Sequence, residues 1–148
     1  MRNKGWFLIQ TFLILLIMFS PFRIKLYLPS SIRYLGLSFL ILGGSFAVYA
    51  ALSLKENLKP SPKPRVGGCL VTSGLYRIVR HPAYSFIMLA LLGISLWMND
   101  VVRILLTLGL FVFFDAKSKV EEKLLEKIYP DYINYKKQVS KKFIPGVY

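Results

Sequence analysis

Histidine and cysteine are almost missing from this chain of 148 residues, which contains one of each, His81 and Cys69. A single cysteine excludes an intrachain disulfide and a cluster of thiolates around a metal ion. A single histidine excludes every metal site that needs two or more imidazole ligands. The sequence therefore predicts a protein that holds no metal.

Acidic residues are scarce as well, with seven against 20 lysines and arginines and a net charge of +13. In a soluble protein such a charge would indicate a nucleic-acid partner. The chain also lacks a GxGxxG turn after a strand pattern and a phosphate-binding P-loop. A soluble Rossmann-type enzyme is therefore not expected.

Long uncharged runs are what the chain has instead, since 55% of its residues are hydrophobic. The runs cover residues 6–22, 34–54, 82–98 and 101–114, the last with one charge near its start. A membrane-spanning helix needs about 20 apolar residues, with a range of roughly 17–25. We expect an all-α, polytopic membrane protein of one domain, residues 1–148, with about four transmembrane helices. The last two form a helical hairpin, and Asp115 and Lys117 mark its return to water.

The first run has a second interpretation as a cleaved signal peptide, because Arg2 and Lys4 precede it. No small-x-small cleavage site follows, since the run ends with the sequence MFSPF at residues 18–22. A retained helix is therefore the expectation.

The basic residues are distributed unevenly among the connections. The N-terminus, the loop 55–81 and the tail 115–148 hold sixteen of the 20. Four spans would place these three segments on one side, and the positive-inside rule makes that side the cytoplasm. We therefore expect both termini in the cytoplasm and anionic membrane lipids, not nucleic acid, as partners of the basic tail.

The two polar segments differ in their predicted structure. The loop contains Pro60, Pro62 and Pro64, which favour an extended chain. Loops of this length are more often functional than simple connectors. In the tail, apolar residues recur every four positions between lysines, which predicts an amphipathic helix ending near Pro130. One or two further turns are expected around Tyr132 and Tyr135.

Two groups of polar residues could carry chemistry, and each also has an ordinary interpretation. Arg80, His81 and Tyr84 could simply lie among lipid headgroups at the start of the third run. Lys117 and Glu121 are four residues apart and could form a solvated ion pair worth a few tenths of a kcal/mol.

The combination of these groups is more specific than either alone. The stretch 70–84 ends in Arg80-His81-Pro82-Ala83-Tyr84, and Glu121-Glu122 follows after the hairpin. This order resembles the isoprenylcysteine carboxyl methyltransferase family and the related phospholipid methyltransferases. Residues 132–139 and Ile144-Pro145 add to the resemblance, which covers about residues 55–148. The first two runs match only as apolar helices.

The resemblance implies an integral membrane enzyme that uses S-adenosyl-L-methionine, with a cofactor pocket under the cytoplasmic loop. The residues that match the family's cofactor contacts are Gly68, Cys69, Leu70, Val71, Tyr76, His81, Pro82, Ala83 and Tyr84. The family's substrate-side arginine and glutamate fall on Lys117 and Glu121, with Glu122 adjacent. The methyl acceptor would be a lipophilic or small molecule. The loop looks like that of bacterial members, which implies a bacterial inner membrane.

Two departures from the family pattern bear on the acceptor. Lys117 stands in place of an arginine and lacks the planar fork that binds a carboxylate through two bonds. Phe86 stands where many relatives have a glycine, and its ring could narrow the pocket. The acceptor group, whether carboxylate, amine or thiol, stays open.

Other functions remain compatible with the same helical plan. One group comprises a phospholipid N-methyltransferase, a small-thiol methyltransferase and a reductase related to the steroid 5α-reductases. A membrane scaffold that has lost catalysis is the alternative of a different class.

Overall fold

The computed structural model describes residues 2–54 and 70–148, which form five α-helices and no strand. The helices are α1 (Arg2–Phe19), α2 (Ser30–Ser53), α3 (Pro82–Trp97), α4 (Val101–Ile128) and α5 (Tyr132–Gln138). A short 3-10 helix, Gly74–Arg77, precedes α3. The all-helical prediction is confirmed for the part of the chain that is described.

One described helix, α2, is long and apolar enough to cross a membrane. The apolar part of α1, Gly5–Phe19, and α3 are shorter. The arrangement with four membrane-spanning helices therefore stays a prediction.

Glycines allow α2 and α3 to pack so closely that their backbones are in contact. A Cβ atom added to Gly43 would lie 2.8 Å from the carbonyl oxygen of Phe86, and one added to Gly36 would lie 2.8 Å from that of Gly93. Real Cβ atoms do not approach a backbone so closely, so these positions tolerate no side chain without a shift of the helices. Small residues at helix contacts are typical of packing inside membranes.

We expect Gly43→Ala to destabilise the protein by about 1–3 kcal/mol, because the added methyl group meets the backbone of α3 and forces the helices apart. The neighbouring Gly44 is the matched control, since nothing lies within 4 Å of a Cβ atom added there. Thermal unfolding in detergent should show a lower midpoint for Gly43→Ala and no decrease for Gly44→Ala. Equal midpoints for the two variants would contradict this packing.

At one end of the helices, the connection between α1 and α2 lies against the turn between α3 and α4. The amide of Leu26 donates to the carbonyl of Asn99 at 2.8 Å, and that of Val101 donates to Ile24 at 3.0 Å. The buried Arg103 forms an ion pair with Asp100 and donates to the carbonyl of Ile17 at 2.9 Å. These contacts join α1 to the hairpin of α3 and α4.

At the other end, the C-terminal segment 139–148 folds back onto the start of α3. The amides of Arg80 and His81 donate to the carbonyls of Lys141 and Lys142, both at 3.0 Å. The tail helix predicted to end near Pro130 is confirmed, because α4 ends at Ile128 and α5 follows as a separate helix.

The fourth apolar run does not end in a helix terminus. The helix α4 continues from Val101 to Ile128, so the run and the tail helix are one element of 28 residues. The expectation that Lys117 marks a return to water is wrong, since this residue is only 2% exposed. Its apolar stem and its ammonium group are covered by neighbouring helices.

Candidate functional site

The start of α3 and the middle of α4 bring the predicted polar residues together. Pro82 occupies the first helical position of α3, where its missing N–H is not needed, and His81 is the N-cap residue, whose side chain makes no capping hydrogen bond. On α4, Lys117 and Glu121 share a helix face because they are four residues apart. We call His81, Tyr84, Lys117, Glu121 and Glu122 the polar cluster.

The two carboxylates of the cluster flank the imidazole ring. The Nε2 atom of His81 donates to Oε1 of Glu122 at 3.1 Å, and its Nδ1 atom lies 3.7 Å from Oε2 of Glu121. The hydroxyl of Tyr84 donates to Oε1 of Glu121 at 2.6 Å. The side chains of His81 and Glu122 are buried, with exposures of 9% and 6%, and that of Glu121 is partly buried at 14%. Such enclosed groups are typical of functional sites.

Aromatic rings line one side of the cluster. The imidazole of His81 and the ring of Tyr84 are parallel with centroids 5.5 Å apart, and Tyr84 stacks on Phe114 at 4.3 Å. The ammonium of Lys117 lies 5.0 Å from the centroid of the Tyr84 ring. The site therefore offers flat ring faces, which attract cations and other planar groups.

Lys117 is the basic residue of the polar cluster, and its side chain is buried. Its Nζ atom lies 3.7 Å from Oε1 of Glu121 and donates a hydrogen bond to Oε1 of Gln10 on α1. Burial lowers the pKa of Lys117, and the nearby Glu121 carboxylate opposes that decrease. The alternative of a solvated ion pair between Lys117 and Glu121 is wrong, because the two side chains are only 3% and 14% exposed.

Glu122 connects the cluster to the tail. It lies 2.8 Å from Nε of Arg80 and 3.2 Å from Nζ of Lys136. Burial alone would raise the pKa of Glu122, but hydrogen bonds from His81 and Arg80 outweigh it and lower this pKa to about 2. Arg80 thus binds a buried carboxylate, and its assignment to lipid headgroups is wrong.

Arg80 and Asp115 together hold the C-terminal segment in place. The Nη1 atom of Arg80 donates to the carbonyls of Val139 at 2.9 Å and Ser140 at 2.6 Å. Asp115 accepts from Lys142 and from the Tyr148 hydroxyl, each at 2.7 Å. Burial opposes the ionisation of Asp115, but its hydrogen bonds prevail and lower its pKa below the ordinary value.

We expect the fold to lose stability in acid through Glu122. Because its folded-state pKa is lowered, ionised Glu122 contributes stability above its ordinary pKa of 4.5, and this contribution is lost as the pH falls toward 2. The contribution is on the order of 3 kcal/mol. Thermal unfolding from about pH 6 to pH 3 should show a decrease of the midpoint for the wild type and a smaller decrease for Glu122→Gln.

Asp115 would account for the acid sensitivity that remains in Glu122→Gln, since the pKa of Asp115 is lowered too. Parallel midpoint curves for the wild type and Glu122→Gln would contradict the role assigned to the Glu122 carboxylate.

The other predicted site residues lie outside the polar cluster. Tyr76 is buried; its hydroxyl donates to the carbonyl of Ala50 at 3.2 Å, and its backbone carbonyl accepts from the Tyr135 hydroxyl at 2.6 Å. Leu70 packs with a separate cluster formed by Tyr132, Tyr135 and Val139. Four more predicted residues complete the set: Val71 and Ala83 are half-buried, and Gly68 and Cys69 lie outside the described residues.

An apolar cavity of about 560 Å³ lies beside the cluster, between α3 and α4. Pro82, Ser85 and Phe86 line it from α3, and Phe143 and Pro145 line it from the C-terminal segment. Phe86 forms part of the cavity wall and also stacks on Phe46 of α2, with centroids 5.1 Å apart. The departure from glycine at this position therefore shapes an apolar space next to the polar cluster.

Phe143 separates this cavity from the cluster. Its ring centroid lies 5.9 Å from that of His81, 6.4 Å from that of Tyr84 and 5.8 Å from that of Phe111. The hydroxyl of Ser85 donates to the Phe143 carbonyl at 2.7 Å, which fixes the segment there. The Phe143 ring thus lies between the polar groups and the apolar space.

Sequence reasoning missed Gln10 and Phe143 and misread Arg80. A signal was present for Gln10, which is a polar residue inside the uncharged run 6–22. Polar residues in such runs commonly form hydrogen bonds between helices. No comparable signal marked Phe143, because one phenylalanine among eleven carries no information about its neighbours.

Two comparisons with known proteins bear on the site. The model of a family described as phospholipid methyltransferase matches residues 31–132, which include the whole polar cluster. The protein-S-isoprenylcysteine O-methyltransferase of Schizosaccharomyces pombe (strain 972 / ATCC 24843) is 38% identical over 72 residues. That match covers 47% of this chain and 30% of the yeast protein, so the chain aligns with less than a third of this relative.

Proposed function

The chain belongs to the phospholipid methyltransferase family, and we propose that it transfers a methyl group from S-adenosylmethionine to a lipophilic acceptor at the cytoplasmic face of a membrane. The observation that carries this proposal is that Phe143 lines the apolar cavity and also packs against His81 and Tyr84 of the polar cluster, so that the two lie side by side. Charged groups next to a space without charge suit an acceptor that has a polar end and a hydrocarbon body.

The residues of the cluster fit the cofactor. Its carboxylates, Glu121 above all, can accept hydrogen bonds from an ammonium or from ribose hydroxyls. The ring faces of Tyr84 and His81 suit a sulfonium cation and a flat base. When bound, S-adenosylmethionine supplies an electrophilic methyl group on its sulfonium. We assign cofactor binding to His81, Tyr84 and the neighbouring Tyr76, Pro82 and Ala83.

The family resemblance extends this assignment to the loop. Gly68, Cys69, Leu70 and Val71 are proposed to contact the cofactor, the first two from outside the described residues. Leu70 has a place in a packed cluster beside Val139, which supports a covering role for this end of the loop. Covering the site excludes water and strengthens the electrostatic interactions inside it.

Lys117 is proposed to bind an anionic group of the acceptor. Its ammonium is a buried positive charge beside Glu121 and the Tyr84 ring. An attacking atom must lie about 3–3.5 Å from the methyl carbon, so a fixed anchor for the acceptor contributes directly to the rate. A carboxylate acceptor needs no proton removed. An amine or thiol would need a base, for which Glu121 and His81 are available.

Two acceptors are favoured by the comparisons. A lipophilic molecule with a carboxylate, like the isoprenylcysteine in the name of the yeast relative, agrees with the positive charge of Lys117. A phospholipid amine, suggested by the family description, agrees with the two carboxylates. We place the carboxylate first because the Lys117 ammonium donates its closest hydrogen bond to the neutral amide of Gln10 and lies 3.7 Å from Glu121, which leaves it able to bind an anion.

The membrane arrangement proposed with this function has four helices crossing a bacterial inner membrane and both termini in the cytoplasm. Its support is that the two connections with few basic residues lie together at one end. The described part of the loop and the tail lie together at the other end, where Arg80 meets Glu122.

The proposal is tested by incubating the purified protein with labelled S-adenosylmethionine and a total lipid extract. Label in an extractable lipid, identified by mass spectrometry, is the expected result. Calorimetry with S-adenosylhomocysteine and with NADPH separates the alternatives. Binding of NADPH alone would indicate a reductase, and binding of neither would indicate a scaffold.

A further inference from the structure

Helix α1 contributes one polar side chain to the candidate site. Gln10 is half-buried, and its Oε1 atom accepts a hydrogen bond from Nζ of Lys117. Among the described residues Gln10 is the nearer partner of that ammonium, since the carboxylate oxygen of Glu121 with which it pairs is 3.7 Å away. Gln10 lies outside residues 31–132, the region that the family model covers.

A lysine needs such a contact more than an arginine would. Its ammonium is a point charge with three donors at the end of a flexible chain, whereas a guanidinium is planar and directs its donors by itself. One neutral acceptor fixes the direction of the ammonium without cancelling its charge. With Gln10 and Glu121 as its partners, the ammonium still has a donor for an incoming anion.

Packing contacts between α1 and α4 fix the position of Gln10. Ile17 of α1 is fully buried in the core with Leu110 and Phe114 of α4. Trp6 packs on Phe113 with ring centroids 5.4 Å apart, and the carbonyl of Ile17 accepts from Arg103 at 2.9 Å. Gln10 lies between these contacts, so its position relative to α4 is set at both ends.

We propose that Gln10 is a positioning residue that orients the Lys117 ammonium toward an anionic group of the methyl acceptor. The inference rests on the proposed function and adds α1 to the site. Gln10 supplies the direction that a guanidinium would have of its own.

The test compares Gln10→Met with the wild type. Methionine keeps the length and apolar volume of the side chain and removes the strong acceptor. The probe is a total lipid extract supplemented with S-farnesylcysteine that carries a free carboxylate. We expect the apparent KM for the acceptor to rise about tenfold, with a smaller change in kcat, because a hydrogen bond to a charged group is lost. The Kd for S-adenosylhomocysteine should stay unchanged.

Two further variants separate positioning from a structural effect. Leu8→Ala changes a side chain that is 64% exposed on the same helix and should leave both constants unchanged. In a Lys117→Met background, Gln10→Met should add no further increase of KM, because the two residues act as one unit.

A wild-type KM for Gln10→Met, or the same increase of KM with and without Lys117, would overturn the inference. If the wild type itself neither binds S-adenosylhomocysteine nor methylates the probe, the proposed function fails instead, and the inference fails with it.

Discussion

Glu121→Gln should reduce methyl transfer by at least about a hundredfold, the range typical of losing a positioned acid–base or charged group. In the wild type, the Tyr84 hydroxyl donates to Glu121 at 2.6 Å. The glutamine side chain keeps an oxygen that can accept this hydrogen bond. It removes the negative charge that faces Lys117 and His81, each 3.7 Å away. The loss should therefore appear in activity more than in folding.

His81→Ala is expected to have an effect of the same size. The imidazole lies between Glu121 and Glu122 and stacks on Tyr84, so its removal leaves both carboxylates without their shared partner. Labelled-methyl transfer into the lipid extract measures both variants, and membrane fractionation checks that insertion survives.

Glu126→Gln is the matched control for this pair. Glu126 lies on the same helix, with a side chain that is 34% exposed and paired with Lys136 at 2.9 Å. Its activity should stay within about twofold of the wild type, as for most surface substitutions. If Glu121→Gln and His81→Ala kept the turnover of the wild type, the assignment of the site would be wrong.

Arg80→Met should give the largest loss of stability, about 3–5 kcal/mol, because breaking a buried ion pair leaves the partner charge uncompensated. The side chain of Arg80 is 8% exposed, and its partner Glu122 is 6% exposed. The same guanidinium also holds the carbonyls of Val139 and Ser140. Methionine replaces none of these bonds.

The tail should respond first to this change. Thermal unfolding in detergent should give a much lower midpoint, and limited proteolysis should cut near residues 139–148 before the rest of the chain. Arg77→Met is the control, since Arg77 is an exposed residue only three positions earlier. If the two variants had the same midpoint, Arg80 would not be the anchor of the C-terminal segment.

The apolar runs and the prolines determined most of the secondary structure. The runs 34–54 and 82–98 agree with α2 (Ser30–Ser53) and α3 (Pro82–Trp97) to within a few residues. Pro130 marked the break between α4 and α5 in the same way. Both signals are local, because helix periodicity and the effect of proline depend on residues close in the chain.

The sequence also identified the members of the polar cluster, but only through a family resemblance. Residue types by themselves favoured headgroup contacts for Arg80 and a solvated ion pair for Lys117. The structure buries both side chains. Burial depends on which helices pack together, and no local pattern contains that information.

The sequence by itself determined where the helices form, since hydrophobic periodicity and proline act over a few residues. Tertiary structure alone decided that Gln10 meets Lys117 across 107 positions and that Glu122 meets Arg80 across 42. It also decided that Phe143 stands between the polar cluster and the apolar cavity. Such contacts are long-range, because close packing of helices selects the partners from many side chains of similar chemistry.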